Sequence, residues 1–375
     1  MKIGFDAKRA FYNTRGLGNY ARSAIGGLVS NYPQNNYYLY SPKHKGPLPF
    51  AESLNSPKTQ INHRKHLLGG FWRTFQLGNQ IAADRLDIYH GLSNEIPIRS
   101  PKCQTRFVVT IHDLIFLNQP KFYPWIDRNI YFQKVRFAAK HADQIVAVSK
   151  NTKSDITTHF DVDPKKISVL YPSCDEIYYK EKNIDELKKI RQHYKLPERF
   201  FLFVGALTSN KNVISILNAI SSLQEPDYQL VIVGHGPEKN TLTKYCSQLH
   251  IEKQVRFISE PNKIDSDHLA GIYQLSTATI LPSYYEGFGL PILESLASGT
   301  PVIASDNSSL PEVTGPGGLL VNPHKVDDLA QAMTQMHNNP ELRNSLAEKG
   351  SIHARKFHPK NQTDILIQLY SQLLE

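Results

Sequence analysis

The chain has 375 residues, of which 40% are hydrophobic and 21% charged, and its formal net charge is +9. That length favours two domains, and no apolar run approaches the roughly 18 residues that a membrane-spanning helix needs. Its three cysteines lie far apart, which argues against a disulfide framework and a zinc site and is typical of a reducing compartment.

The first part of the chain carries the positive charge. The opening "MKIGFDAKRAFYN" becomes charged too early for a signal peptide, so we expect a protein that is soluble or lies on a membrane surface. Residues 1–170 hold 24 Lys and Arg against 11 Asp and Glu, a net charge of +13, and the remainder carries −4. This asymmetry favours an acidic partner, such as anionic lipid or a phosphorylated substrate; a generally basic proteome is the alternative. No motif indicates nucleic-acid binding.

Short apolar segments alternate with amphipathic ones, which predicts parallel sheets with helical crossovers. The predicted strands are, in chain order, "KIGFDA", "DIYHG", "RFVVTIHD", "QIVAVS", "FFLFVGA", "YQLVIVGH", "ATILPS" and "PVIAS". The predicted helices include "SILNAISSLQ", "NTLTKYCSQL" and "VDDLAQAMTQMHNN". Several strands are apolar throughout, as sheets buried on both faces require.

A charged segment, "YPSCDEIYYKEKNIDELKKIRQHYKLPERF", divides the chain. We predict an N-terminal domain over residues 1–175 and a C-terminal domain over residues 176–359. Each is an α/β, Rossmann-like, doubly wound domain, and the two are expected to face a central ligand cleft, because such sheets bind ligands at the carboxyl ends of their strands.

The segment "LPSYYEGFGLPILESLASGTPVIASD" combines two carboxylates with a glycine-rich turn. Pro291 is predicted in the first turn of a helix and Gly299 just past its end. Glu286 then lies in the loop and Glu294 in the first or second turn, both facing the cleft. Since helix N-termini favour phosphate and carboxylates bind hydroxyl groups, the segment predicts a site for a phosphorylated polyol. For Glu294 alone, complementing the helix dipole is the simpler interpretation.

Residues 281–305 resemble the E-x7-E region of the retaining glycosyltransferases of family 4, which have the GT-B fold. Ser295 and Leu296 are mild departures. The segments "RGLGNYAR", "TIHDLIF", "FVGALTSNKN" and "SSLPEVTGPGGLLVNP" are similar to other parts of that family. Through "HDLIF" and "YEGFGLP" the chain is most similar to bacterial mannosyltransferase-like members. The resemblance also implies that the last helix, residues 360–375, packs back on the N-terminal domain.

The resemblance assigns roles to the two acids. Glu294 is expected to hold the ribose hydroxyls of a nucleotide sugar, and Glu286 the hydroxyls of the donor sugar. The charge of Glu286 is also suited to stabilising an oxocarbenium-like transition state. The loop backbone is expected to contact the sugar and its phosphates through Gly287, Phe288, Gly289 and Leu290.

Gly205 and Lys211 open the second domain, and the resemblance makes Lys211 the phosphate-binding lysine. Many relatives carry an arginine close by, where this chain has Ala206 and Asn210. One of the two usual diphosphate-binding cations is therefore unassigned. Either another arginine supplies it, or Lys211 and the helix N-terminus carry more of the charge; low activity is the third alternative. The segments that carry the resemblance contain no D-x-D pair and no His/Asp cluster, so we expect neither metal nor cofactor. A solvated loop lysine is the simpler interpretation of Lys211.

The N-terminal domain supplies further candidates. The family places the residue matching His112 against the transferred sugar; without that match, a histidine packed at a strand end is the better interpretation. Asp113 is expected to orient the loop. Gly16 and Gly18 form a G-x-G that the resemblance places near the donor phosphate and the acceptor.

Residues 53–83 contain no acidic residue, and "HRKHLLGGFWRTF" mixes basic with aromatic side chains. Arg64, Lys65, Trp72 and Arg73 are therefore candidates for contact with an anionic membrane or the acceptor. A partly ordered loop whose aromatics pack on the domain is the alternative.

Together these features predict a metal-independent hexosyltransferase, and the family resemblance alone implies that it retains the anomeric configuration. It would move mannose, as a first choice, from a nucleotide-diphosphate sugar to a hydroxyl of a growing glycan, either a lipid-linked oligosaccharide or a surface polysaccharide such as lipopolysaccharide. The expected location is the cytoplasm, on the inner face of the plasma membrane. The alternatives are a soluble small-glycoside synthase and a catalytically degenerate subunit that binds a sugar nucleotide, or a partner transferase, without turnover.

Overall fold

The computed structural model describes residues 1–13, 16–42, 50, 54, 56–63, 69–258 and 264–375. These residues form two compact units: unit 1 comprises Met1–Ser173 and Pro359–Glu375, and unit 2 comprises Cys174–His358. The predicted boundary at 175/176 lies next to this division. Each unit is a Rossmann-like α/β domain.

Unit 1 is built on a parallel sheet. Its strands, among the described residues, are β1 (Lys2–Asp6), β2 (Asn36–Ser41), β3 (Thr59–His63), β4 (Ile88–Gly91), β5 (Arg106–Ile111), β6 (Gln144–Ala147) and β7 (Ile167–Val169). Their order is β3-β2-β1-β4-β5-β6-β7. The chain therefore starts in the middle and reverses direction across the sheet between β1 and β4, which is the topological switch point at which such folds bind ligands.

The helices of unit 1 cover both faces of this sheet. They are α1 (Lys8–Tyr12), α2 (Gly16–Asn31), α3 (Gly69–Phe71), α4 (Leu77–Asp84), α5 (Ile115–Asn118), α6 (Trp125–His141) and α7 (Lys150–His159). A π-helical segment, Trp72–Gln76, joins α3 to α4, and short 3-10 turns occur at Pro120–Phe122 and Pro164–Lys166. Successive residues of β5 point into opposite cores, Phe107 and Val109 into one and Val108 into the other. Burial on both faces explains why this strand is apolar throughout.

Unit 2 repeats the same plan. Its strands are β8 (Phe201–Val204), β9 (Leu230–Val233), β10 (Val255–Ile258), β11 (Ala278–Leu281), β12 (Val302–Ser305) and β13 (Gly318–Val321). The order is β10-β9-β8-β11-β12-β13, with parallel pairing throughout. Its switch point lies between β8 and β11.

The helices of unit 2 are α8 (Ile184–Tyr194), α9 (Val213–Leu223), α10 (Lys239–Gln248), α11 (Ser266–Leu275), α12 (Leu290–Ala297), α13 (Leu310–Thr314), α14 (Val326–Asn338) and α15 (Pro340–Ala354). Short 3-10 turns occur at Glu176–Tyr179, Ser209–Lys211, Gly315–Gly317 and Arg355–Phe357. The three helices that the sequence patterns predict correspond to α9, α10 and α14.

The last helix, α16 (Pro359–Gln372), belongs to unit 1 and packs against α2. Its anchor is the fully buried Tyr370, whose hydroxyl lies 2.6 Å from Nδ1 of His90. Nε2 of His90 lies 2.8 Å from Oγ1 of Thr110, which in turn lies 3.0 Å from the Tyr20 hydroxyl. Burial lowers the pKa of His90 to about 3, so this network holds a neutral imidazole at neutral pH.

Candidate active site

The switch point of unit 2 brings together two residues that are 75 positions apart in sequence. Gly205 follows β8, and its N–H donates to the Val233 carbonyl at 3.0 Å. Lys211 lies a few residues further on, and Glu286 lies in the loop that follows β11. Nζ of Lys211 forms an ion pair with Oε1 of Glu286. Because β8 and β11 are adjacent and parallel, the loops that leave them meet at one edge of the sheet.

The two loops are tied to each other by backbone contacts. The Tyr284 N–H donates to the Asn210 carbonyl at 2.9 Å. Asn212, which follows Lys211, has a left-handed conformation with φ 56°. Its Nδ2 donates to the carbonyls of Pro282 at 3.0 Å and Pro323 at 2.9 Å. The position of Lys211 is therefore set by a buried amide rather than by its own flexible side chain.

Three serines fix the Glu286 loop. The Ser283 hydroxyl donates to Oε1 of Glu286 at 2.7 Å, and the Glu286 N–H donates to the Ser308 hydroxyl at 3.1 Å. The Ser309 hydroxyl lies 2.9 Å from the Glu286 carbonyl and 3.0 Å from that of Phe288. The carboxylate is therefore preorganised, and its side chain remains 12% exposed. Sequence reasoning missed these serines, although two of them lie in the conspicuous "SSLPE" stretch.

Helix α12 begins at the end of this loop, as the sequence predicts. Its N-cap, Gly289, has φ 103°, and a Cβ there would lie 2.7 Å from Cδ2 of Leu310, so only glycine fits. Pro291 lies in the first turn, and Gly299, with φ 76°, follows the C-cap Ser298. The first turn therefore presents the positive end of the helix dipole beside Glu286 and Lys211.

Glu294, which the sequence predicts to face the cleft, is buried. It lies in the second turn of α12, only 9% exposed, and its Oε2 accepts a hydrogen bond from the Tyr273 hydroxyl at 2.9 Å. Burial raises the pKa of Glu294 to about 7; the Tyr273 hydrogen bond opposes the rise and the charge of Asp175 adds to it. Helix α12 turns this side chain toward Tyr273 of α11 and away from solvent, which the loop-centred prediction did not take into account.

In unit 1, His112 follows β5 and is held on three sides. Its N–H donates to Oδ1 of Asn94 at 2.8 Å, its Nε2 donates to the Leu92 carbonyl at 2.8 Å, and its ring lies edge-on to Tyr20 at 4.8 Å. Burial lowers the pKa of His112 to about 4. The ring is therefore neutral near pH 7, and because a carbonyl can only accept, its proton is on Nε2 and Nδ1 is an acceptor.

Gly16 and Gly18 lie in the first turn of α2 rather than in an open loop. A Cβ on Gly18 would lie 1.7 Å from the Asn13 carbonyl oxygen, so this glycine allows α2 to approach the end of α1. Arg22 completes the contact by donating through Nη1 to the carbonyls of Ala10 and Asn13. The structure thus gives Gly18 a packing function.

The membrane candidates need correction. Arg64 and Lys65 lie outside the described residues. Trp72 is only 2% exposed and packs in a core of unit 1, so its ring does not reach a membrane surface. Arg73 is directed inward as well, because it pairs with Asp6 and, at 3.3 Å, with Glu95. The π-helical turn buries these two side chains; Phe71 and Phe75 are the exposed aromatics of this segment, at 53% and 52%.

The Arg73 cluster also reveals site residues that sequence reasoning missed. Asp6 ends β1 and Glu95 follows β4, so both lie at the switch point of unit 1. Burial raises the pKa of Glu95, but the charges of Arg73 and Lys134 outweigh this and hold it below the usual value. The sequence did contain a pattern that could have indicated this cluster, because an acidic residue ends β1 and another follows β4. The side chains of Asp6 and Arg73 are largely buried, so their ion pair connects the end of β1 to the π-helical turn.

In the described part of the chain, no group of three or more His, Cys, Asp or Glu side chains is placed to hold a metal ion. No described helix is long and apolar enough to cross a membrane.

The chain matches two protein-family models, one on each unit. Residues 14–176 match the model of Glycosyltransferase Family 4, and residues 184–353 match that of Glycosyl transferases group 1. The chain is 27% identical over its full length to the full-length O-antigen chain mannosyltransferase B of Escherichia coli.

Solved structures show the same fold. Sucrose-phosphate synthase of Thermosynechococcus elongatus superposes with a TM-score of 0.78 at 20% identity, covering 100% of this chain and 99% of the other. HepE of Anabaena, solved with UDP, superposes with a TM-score of 0.74 at 16% identity, covering 99% and 100%. The two family matches fall on the two units that carry Lys211, Glu286 and His112, and the chain belongs to the family 4 glycosyltransferases of GT-B fold, as a member similar to bacterial mannosyltransferases.

Proposed function

We propose that this glycosyltransferase moves a hexose, with mannose as the first choice, from a nucleotide-diphosphate sugar to a hydroxyl of a growing glycan. The observation that carries the proposal is the Lys211–Glu286 ion pair, placed across the switch point of unit 2 beside the N-terminus of α12. The similarity to the O-antigen chain mannosyltransferase B of E. coli favours mannose and a surface polysaccharide.

The diphosphate is assigned to Lys211 and the first turn of α12. Lys211 is 21% exposed, so an anion can reach it, and the positive end of the α12 helix dipole supplies further positive potential. These groups are fixed before the substrate arrives, which is what stabilising a leaving diphosphate requires. Because Lys211 and the helix provide positive charge without a metal ion, we propose that the reaction does not need a metal.

Donor binding changes the partners of the ion pair. A diphosphate near Lys211 competes with Glu286 for the ammonium group, and Glu286 becomes available to sugar hydroxyls while Ser283 still holds it in place. We propose that His112 also contacts the transferred sugar: its neutral Nδ1 accepts a hydrogen bond from a sugar hydroxyl, and its low pKa rules out a cationic role near pH 7.

Glu294 is assigned to the ribose. Two ribose hydroxyls donating to its carboxyl group favour the ionised form, which burial disfavours in the free protein. Nucleotide binding should therefore release protons near pH 7, and affinity should rise with pH in that range.

We propose transfer with retention of anomeric configuration by front-face displacement. The bond from sugar C1 to the phosphate oxygen breaks as the acceptor hydroxyl oxygen attacks C1 from the same face, and the departing phosphate oxygen takes the acceptor proton. Negative charge grows on the diphosphate, where Lys211 and α12 stabilise it, and positive charge grows on the sugar, where Glu286 stabilises it. The acceptor we propose is a lipid-linked glycan.

Calorimetry with GDP, UDP, ADP and TDP, each with and without EDTA, tests the donor site. We expect saturable binding of one diphosphate, GDP first, that EDTA leaves unchanged. Failure of all four to bind would overturn the donor site and favour a degenerate subunit. Binding that EDTA abolishes would overturn metal independence. For the preferred donor, the anomeric configuration of the product, measured by NMR, tests retention.

A further inference from the structure

The start of helix α6 exposes a cluster of large apolar side chains. Trp125 is 73% exposed, Ile126 64% and Ile130 48%. Single exposed apolar residues are normal on a protein surface, but a group of them that includes a tryptophan in two adjacent helical turns marks an interaction site. None of these residues belongs to the candidate active site.

Basic side chains share this face. At about 100° per residue, Trp125, Ile126 and Ile130 project to the same side of α6 as Arg136 and Lys140. Arg136 and Lys140 are both exposed. The opposite side of the helix is buried in a core of unit 1 through Val135, Ala138 and Ala139. Asp127 is the acidic residue of this helix. The free face therefore has an apolar end and a cationic end.

Two further exposed aromatic side chains lie in the segment that Glu95 connects to α6. The rings of Phe71 and Phe75 lie 4.8 Å apart, and both are about half exposed. Between them in sequence, Arg73 reaches Glu95, and Glu95 accepts from Lys134 of α6 at 3.2 Å. One carboxylate thus joins the π-helical turn to α6.

We propose that the exposed face of α6 docks this protein on an anionic phospholipid bilayer, with Trp125, Ile126 and Ile130 inserted at the headgroup boundary. Tryptophan on an apolar helix face flanked by Lys and Arg is the composition of interfacial helices. The net charge of +13 over residues 1–170 favours anionic lipid over a neutral membrane or a protein partner with few acidic residues. This inference deepens the proposed function and rests on its lipid-linked acceptor. It moves the membrane contact from Trp72 and Arg73 to α6.

The chain provides its own reporter. It contains two tryptophans, and Trp72 is buried whereas Trp125 is exposed. Acrylamide should therefore quench Trp125 in the free protein. Addition of phosphatidylcholine vesicles containing phosphatidylglycerol should shift the emission to the blue and protect it from acrylamide. The Trp125→Phe variant should still sediment with the vesicles but lose the spectral change.

Vesicle co-sedimentation of matched variants gives the decisive comparison. The triple variant Trp125→Ser/Ile126→Ser/Ile130→Ser should bind at least about tenfold more weakly, because it loses most of the inserted apolar area. The control variant Ile184→Ser/Ile352→Ser removes side chains that are 71% and 60% exposed in unit 2 and should bind like the wild type. Binding should also fall in about 1 M salt, since screening removes the attraction to anionic lipid.

Equal binding by the triple variant, or equal binding to vesicles of phosphatidylcholine alone, would overturn the proposal. So would a concentration-dependent dimer that the triple variant abolishes while no vesicle binding occurs, because the face would then join two copies of the chain. Nucleotide binding by the same variants keeps the two proposals separate. A triple variant that binds the nucleotide normally but not the vesicles supports the α6 surface, and a protein that binds vesicles but no nucleotide overturns the donor site alone.

Discussion

Glu294→Gln should stabilise unit 2 and weaken nucleotide binding at the same time. The wild-type carboxyl has a pKa near 7 in the folded protein against an ordinary value of 4.5. Between these values the folded state holds a proton that the unfolded state has lost, so the contribution of Glu294 to the stability of unit 2 is greatest below pH 4.5 and is lost as the pH rises through 7. Glutamine keeps an acceptor for the Tyr273 hydroxyl but never ionises.

The size of the effect follows from this difference in pKa. At about 1.4 kcal/mol per pKa unit, ionising this carboxyl group lowers the free energy of unfolding by about 3 kcal/mol. For a domain of this size, that is roughly 6–12 °C in melting temperature. We therefore expect Glu294→Gln to melt near the wild type at pH 5 and several degrees above it at pH 8.

Thermal and urea unfolding at pH 5, 6, 7 and 8 measure this, and the difference between variant and wild type cancels the contribution of unit 1. Glu348→Gln, which removes an exposed acid in the same unit, should leave the pH profile unchanged. Calorimetry at pH 8 should show about tenfold weaker nucleotide binding, since a charged acceptor for two hydroxyls is lost. Parallel stability profiles for Glu294→Gln and the wild type would refute the reasoning.

Three further predictions concern the ion pair and the C-terminal helix. Lys211→Ala should weaken binding of the preferred nucleoside diphosphate by about 10–100-fold in calorimetry, because a charge-assisted contact to phosphate is removed; unchanged affinity would mean that another cation holds the diphosphate. Glu286→Gln should lower the transfer rate at least about 100-fold while changing nucleotide affinity little, because its charge acts on the sugar; full activity in a radiolabelled transfer assay would remove the assignment. Tyr370→Phe should lower the free energy of unfolding by about 1–3 kcal/mol, because Nδ1 of His90 loses its buried partner. Ile365→Ala, at an exposed site on the same helix, is the matched control in urea titrations, and equal effects of the two changes would contradict the anchoring role of Tyr370.

Apolar patterning in the sequence was enough to predict most interior strands of both units. All eight predicted strands form, and each lies in the interior of its sheet, because strands buried on both faces must be apolar throughout. The strands it missed include both edges of each sheet, β3 and β7 in unit 1 and β10 and β13 in unit 2. Edge strands are partly exposed, and "VRFI" or "GLLV" does not stand out from a loop. The ends of α12 were also predictable, because Pro291 and Gly299 act through local backbone geometry.

The contacts between side chains and their burial depend on long-range packing, which local sequence patterns do not contain. Contact between Lys211 and Glu286 depends on β8 lying beside β11, and the strand order cannot be derived from either loop alone. The burial of Glu294 and Trp72 depends on the elements packed over them, which are distant in sequence. Local patterns therefore gave the identity of the reactive groups. Their pairing, their pKa values and the exposed face of α6 follow from long-range packing, because burial and neighbouring charge are properties of the folded chain.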